Sequence, residues 1–246
     1  LDYKKLHDWP QNISEAVRIQ HDLKPQIKID SAFDKIELVA AVDTAYNDKV
    51  NRLYAAAVTM NISEMVDVER AVAEMDAVFE YIPAALSFRE GPVLLKALSR
   101  LQIRPDLIIF AGHGITHPRS FGMASHLGLL MDIPSIGCAR KLLSGEFQMP
   151  DEERGSYSPL YVANIHCGYV YRTKTKVKPM FISPGHLCSI EDSLEIVKKC
   201  LTEYRMPEPL RLAHLFASKY KQSAEKKMGF RKKRPHPRDR NFNRNQ

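Results

Sequence analysis

Two acidic side chains, a histidine and an arginine stand where they could hold a metal ion beside a phosphate. Asp43 closes an apolar strand, where buried backbone would fix its carboxylate rigidly. Glu90 lies on the helix that begins after Tyr81-Ile82-Pro83, His117 follows a Gly-His-Gly loop, and Arg140 and Lys141 follow the next strand. Carboxylates gathered from a strand end and a neighbouring helix suit Mg²⁺, which demands hard oxygen ligands and open positions for water and phosphate. A nearby cation would stabilise charge developing on the phosphate. Spacing alone leaves another reading open, because a strand-end aspartate is more often a turn residue or helix cap. His126, inside a predicted helix, and His186, after Ser-Pro-Gly, read as packing or loop residues rather than ligands.

The elements that must position these groups follow from periodicity. Ile13, Ala16, Val17, Ile19 and Leu23 recur at helical spacing and predict a helix over 11–29. Strands are expected at 36–43 and 52–61, joined as a hairpin through the turn-forming Tyr46-Asn47-Asp48, with a third at 66–80. A helix follows at 84–101. The continuous apolar run at 106–112 predicts a strand buried on both faces in mid-sheet. Ser120 is placed to cap a helix at 121–131, ahead of a buried strand at 133–139. A hairpin of 159–173 with 178–183 and two helices at 190–203 and 208–221 complete the chain. This order implies an α/β architecture, a mixed sheet covered by helices. Sites in such sheets form beyond the carboxyl ends of strands, which points to Asp43 and the segments 111–119 and 137–145.

Composition bounds the rest. Hydrophobic residues at 44% and aromatics at 9% describe an ordinary globular chain. No apolar run approaches the roughly 20 residues of a membrane span, and no apolar stretch behind the first residues would serve as a signal peptide. The cysteines, Cys138, Cys167, Cys188 and Cys200, form no CxxC pair, which argues against a zinc site or disulfide framework and for a cytoplasmic location. A monomer is expected. The net charge of +7 is unevenly spread: residues 221–246 hold ten Lys/Arg against Glu225 and Asp239, leaving −1 for residues 1–220. We therefore expect one domain over 1–221 and a basic, disordered tail over 222–246, either merely solvated or in non-specific contact with phosphates.

Five segments carry a resemblance. VDTAY at 42–46, YIPAALSFREGP at 81–92, GHGITHPRSFGMASHLGLLMDIPSIGCARKLL at 112–143, SPGH at 183–186 and PEPLRLAH at 207–214 resemble, in order, the signatures of the endonuclease V family. The resemblance spans about residues 2–220. It implies an RNase H-like fold and Mg²⁺-dependent hydrolysis of a phosphodiester to the 3′ side of deaminated adenine (inosine), in DNA or in RNA, with Mn²⁺ expected to substitute. It implies Asp43 as the metal-binding strand carboxylate, Glu90 as the helix carboxylate that positions metal-bound water, and His117 near the attacking water or scissile phosphate. Tyr81, Ile82 and Pro83 resemble the family's wedge, an aromatic that stacks on bases and a proline that stiffens the loop. Gly112 and Gly137, with Leu86 and Leu143, resemble the walls of a hypoxanthine pocket. His214, in the last motif, is a candidate for contact behind the metal site.

Two positions depart from the expected pattern. Where the family carries Asp at the end of the central strand, this chain has Ala111, which cannot ligate a metal. Asp106 lies at the other end of that strand, roughly 15 Å away at about 3.3 Å per residue, and cannot substitute. Arg140 stands where Lys is usual; it keeps the charge and can bind phosphate bidentately. Lys141 is expected to point to the opposite face. Ala111 marks either an engineered block or a natural variant that binds inosine strands and cleaves poorly. The two function classes that follow are an impaired endonuclease and an inosine-strand binding protein without cleavage.

Overall fold

β1 (Leu38–Asn47) lies at the heart of a nine-stranded sheet and shows why the sheet is covered twice. Val39 and Ala41 enter one core while Ala40 and Val42 enter the other, so the strand reads as continuously apolar up to Asp43. The structure, a computed structural model, describes residues 1–229.

The remaining strands are β2 (Arg52–Asn61), β3 (Val66–Asp76), β4 (Leu107–Phe110), β5 (Ser135–Ala139), β6 (Glu146–Phe147), β7 (Tyr157–Val162), β8 (Ile165–Tyr171) and β9 (Met180–His186). Their order is β3-β2-β1-β4-β5-β9-β8-β7-β6. β1, β4 and β5 run parallel, and the flanking strands are antiparallel, giving the expected mixed sheet. Helices α2 (Leu86–Leu98) and α3 (Met123–Met131) pack on one face; α4 (Ile190–Lys199) and α5 (Glu208–Lys227) pack on the other. α1 (Ile13–Leu23) packs outside α2 and α3, burying Ala16 and Leu23 near Phe88 and Phe121. β2 is alanine-rich through Ala55-Ala56-Ala57, a poor strand former by composition. Its small side chains let α2 and α5 lie close to the sheet, and this tertiary packing overrides the local preference.

Several boundaries differ from the sequence expectation for local reasons. α1 stops at Leu23 because Pro25 lacks a donor, and residues 24–26 tighten into a 3-10 turn. Its start is fixed by Asn12, whose side chain accepts from the Glu15 N–H while Glu15 reaches back to the Gln11 N–H. α2 cannot begin at residue 84, because Ala84 has a φ of 62°. Ser120 is not a cap: it too has positive φ, and Gly122 occupies the N-cap of α3. Of the segment 159–173, only the second half makes the expected hairpin with 178–183: β8 pairs antiparallel with β9, Tyr171 opposite Met180. The segment folds back on itself as β7 and β8 through Ala163-Asn164, both at positive φ, the geometry of a tight two-residue turn. Ala-Asn is an unusual pair for that turn, so residue type did not signal it. β1 and β2 run on through Asn47 and Arg52, moving the turn to 48–51.

α5 continues past residue 221, and Asn47 Nδ2 donates to Glu225 Oε1 at 3.0 Å, tying that turn of the helix to the β1–β2 hairpin. Residues 230–246, most of the expected tail, lie outside the described residues. Cys138, Cys167, Cys188 and Cys200 are buried and free. Among the described residues, no helix is long and apolar enough to cross a membrane.

Candidate active site

The carboxyl ends of β4 and β5, together with the point on β1 where its parallel pairing with β4 stops, open into a cleft of about 890 Å³. Asp43 and Ala111 form its floor. They are neighbours because Val42 pairs with Phe110 in the parallel ladder and the Ala111 N–H continues it to the Val42 carbonyl at 3.4 Å. Ala111 packs against the cluster that holds Ala41 and Ile109, so its methyl lies on the face from which His214 approaches Asp43.

Asp43 is well held. One oxygen accepts from the Thr44 N–H at 2.8 Å; the other lies 2.8 Å from His214 Nδ1, delivered by α5. Its side chain is only 12% exposed, and the residue lines the cleft. Glu90 comes from α2, on the opposite face of the sheet. It keeps some solvent contact in the cleft, yet protein surrounds it elsewhere. Burial, then the charge of Asp43, push its carboxyl up to about 7, against the pull of a Thr44 hydrogen bond and of Arg89. A cation bound beside Glu90 and Asp43 would favour the ionised form of Glu90.

The histidines of the loop after β4 are bound into backbone. His117 is buried, with Nε2 3.0 Å from the Ala84 carbonyl and Nδ1 accepting from the Arg119 N–H at 3.2 Å. These partners fix the proton on Nε2, and burial holds the ring down to about 4, so it is neutral at physiological pH. His113 is likewise held down to about 4 by burial, with Nε2 3.0 Å from the Lys141 carbonyl.

Tyr81, Ile82, Pro83 and Leu86 form one wall, and Tyr81 stands out at 70% exposed. Gly112, Arg140 and Leu143 line the other side, with His117 between. Lys141 lines the cleft as well, against the expectation that it turns away. β5 ends at Ala139, so the alternation of a strand no longer applies at 140–141. Gly137 does not line the cleft. It lies beneath the 112–114 loop, where a Cβ would sit 2.4 Å from Gly114 N and 2.6 Å from the Gly112 carbonyl oxygen. Its role here is close approach: with no side chain, it lets that loop settle onto β5. Gly122 does the same from the other side, where a Cβ would come within 2.4 Å of the His113 carbonyl oxygen.

Other groups reach the cleft that sequence reasoning did not assign to it. Thr44, His113, Lys178 and Arg205 all line it. Arg205 staples two of its loops, donating from Nε to the Lys178 carbonyl at 2.7 Å and from Nη2 to those of Pro179 and Arg140 at 2.8 and 3.0 Å. Thr44 and His113 lie inside quoted motifs and could have been found there. Lys178 and Arg205 carry no such signal, because only the fold brings their loops to residue 140. Asp106 caps the far edge, accepting from the Glu37 and Leu38 N–H groups at 2.9 Å.

Residues 21–215 match the Endonuclease V family profile. The chain belongs to the endonuclease V family. It is 46% identical over 219 residues to the endonuclease V of Methanothrix thermoacetophila, covering 89% of this chain and 96% of that one. The solved endonuclease V of Streptomyces avermitilis superposes with a TM-score of 0.83 at 34% identity, covering 88% of this chain and 96% of its own. That likeness agrees with the mixed sheet and two helical layers seen here. The Ciona intestinalis endonuclease V, solved with a 24mer DNA containing an inosine followed by a ribo-adenosine, gives 0.77 at 26% identity, covering 87% of this chain and 99% of its own.

Proteins of this family depend on a metal. Among the described residues, no group of three or more His, Cys, Asp or Glu side chains is placed to hold one. Asp43 and Glu90 nevertheless offer two carboxylates in an open cleft, a donor set that fits Mg²⁺, which completes its shell with water and phosphate.

Proposed function

We propose that this protein recognises inosine in a nucleic acid strand and hydrolyses the phosphodiester on its 3′ side with Mg²⁺, for which Mn²⁺ substitutes. The observation that carries the reading is the convergence, on one cleft, of the Asp43–Glu90 pair and an exposed Tyr81-Ile82-Pro83 turn. Bound there, a divalent cation would neutralise charge on the scissile phosphate. Asp43, aimed by His214 and Thr44, and Glu90 would hold it, and Glu90 would orient the attacking water. Arg140, exposed at the rim, contacts phosphate. Tyr81 stacks where the lesion base leaves the strand, and Leu86, Gly112 and Leu143 wall the pocket that receives it. His117, with both ring nitrogens on backbone, acts by shaping the wall beside the scissile phosphate.

Ala111 stands where the resemblance places a second metal-binding aspartate. The same floor that supports the nuclease reading therefore weakens cleavage in this chain, by on the order of 10²-fold or more if one direct ligand is missing. A second reading rests on this observation alone: a protein that binds inosine strands without cutting them. Labelled DNA and RNA oligonucleotides with one inosine or one adenine, incubated with Mg²⁺ or Mn²⁺, separate the two. A nick on the 3′ side of inosine supports the nuclease; selective binding with no nick supports the binder. Equal binding to inosine and adenine strands, without nicking, would defeat both.

A further inference from the structure

One backbone oxygen in the wedge turn collects three donors from two separate parts of the chain. The carbonyl of Ala84, the residue after Tyr81-Ile82-Pro83, accepts from His117 Nε2 at 3.0 Å, Arg119 Nη2 at 2.5 Å and Gln20 Nε2 at 3.2 Å. Gln20 comes from α1 and is buried, only 1% exposed. Its Nε2 also reaches the Phe121 carbonyl at 3.0 Å, and its Oε1 accepts from Arg119 Nε at 2.6 Å. Every polar atom of the Gln20 side chain is thereby spent on holding the 84 and 119–121 segments together.

The residue so gripped is strained. Ala84 has a φ of 62°, a conformation that a side chain disfavours and that persists where the surroundings over-determine it. The Ala85 N–H closes the turn onto the Ile82 carbonyl at 3.0 Å. Tyr81 projects from this turn largely free of other support, so its direction is set by the backbone behind it.

We infer that Gln20 and Arg119 are positioning residues for the wedge. They touch no substrate. They hold the Ala84 carbonyl, and through it the left-handed turn, so that the Tyr81-Ile82-Pro83 edge meets the strand already ordered. A preformed edge spares the ordering cost on binding. The geometry also gives α1 a task that its place outside the main core does not otherwise explain. The role in recognition rests on the reading under "Proposed function"; the clamp itself does not.

Two variants test it. Gln20→Met keeps the volume and removes both amide donors and the acceptor for Arg119. Arg119→Lys keeps the charge and removes the planar fork that bridges Gln20 and Ala84. Gln20→Glu, which keeps the acceptor for Arg119 and loses the donors, serves if the methionine variant does not fold. Amide hydrogen exchange reads the Ala85 N–H against the core amides of β1 and β4, and fluorescence anisotropy reads affinity for an inosine and an adenine strand. We expect Ala85 to exchange roughly tenfold faster or more with the β1 and β4 amides unchanged, and affinity for the inosine strand to fall roughly tenfold. Unchanged exchange at Ala85 would overturn the clamp. Faster exchange with inosine affinity kept at the wild-type level would overturn its role in recognition. If the wild-type chain itself failed to distinguish inosine from adenine, the proposed function would fall, and the exchange result alone would decide the clamp.

Discussion

Replacing Ala111 with aspartate tests the metal site most directly, because the structure says what the new side chain would meet. Position 111 follows Phe110, which pairs with Val42, so the new carboxylate would stand beside Asp43 on the adjacent parallel strand. Strands lie about 4.8 Å apart. Two ionised carboxylates at that distance repel by about 3 kcal/mol at an effective dielectric of about 20. Both face an open cleft, and screening by its water reduces this to about 1–2 kcal/mol. Metal-free Ala111→Asp should therefore melt about 2–8 °C below the wild type, at about 2–4 °C per kcal/mol for a chain of this size.

Adding Mg²⁺ should reverse the sign. With two carboxylates side by side on the floor and Glu90 above, the ion should raise the melting temperature of Ala111→Asp more than that of the wild type. Nicking of an inosine strand should rise on the order of 10²-fold or more, the scale of one direct metal ligand. The assay pairs thermal melts in EDTA and in Mg²⁺ with cleavage of a labelled inosine oligonucleotide. A variant whose melting ignores Mg²⁺ and whose cleavage does not improve would refute the assignment of this floor as the metal site.

Three further outcomes are expected. His214→Ala leaves one Asp43 oxygen without its partner and should weaken divalent-ion binding about 10–100-fold by calorimetry; unchanged affinity would show that α5 does not tune the site. Metal-free stability should depend on pH in two opposed ways. His113 and His117, held down to about 4 against 6.5 when unfolded, bind fewer protons in the native state, so stability is lost as pH falls from about 6.5 to 4. Glu90, pushed up to about 7 from 4.5, binds more, so its contribution is lost as pH rises through 7; Glu90→Gln should flatten that alkaline side alone, and an unaltered slope there would contradict the shift. Gly137→Ala must displace the 112–114 loop or β5, because its Cβ would sit 2.4 Å from Gly114 N; a cost of about 1–3 kcal/mol in denaturant melts is expected, and a neutral result would mean the contact is not tight.

Much of the cleft floor was legible in the chain because it is written in short runs. The apolar run of β1 up to Asp43 and the four-residue core of β4 announce themselves by composition, although β1 itself continues to Asn47. The misreadings share a cause as well. Ser120 is a good capping residue by type, Ala163-Asn164 a poor turn pair, and Lys141 would alternate if the strand ran on. Backbone conformation decided each: positive φ at 84, 120, 163 and 164, and the end of β5 at Ala139. Local residue preference carries little information about such positions when neighbouring segments dictate the dihedral.

The sequence by itself determined which residues are acidic, which strand ends carry them, which family the chain resembles and that position 111 has no carboxylate. Tertiary structure alone decided what surrounds them. It brought His214 from 171 residues away onto Asp43, set Glu90 against Asp43 across the sheet, removed Gly137 from the cleft wall, and joined Gln20 to the wedge across 64 residues. These contacts depend on how helices from both faces meet at one edge of the sheet. That is a property of packing directions and distances, which no local pattern of residue types encodes.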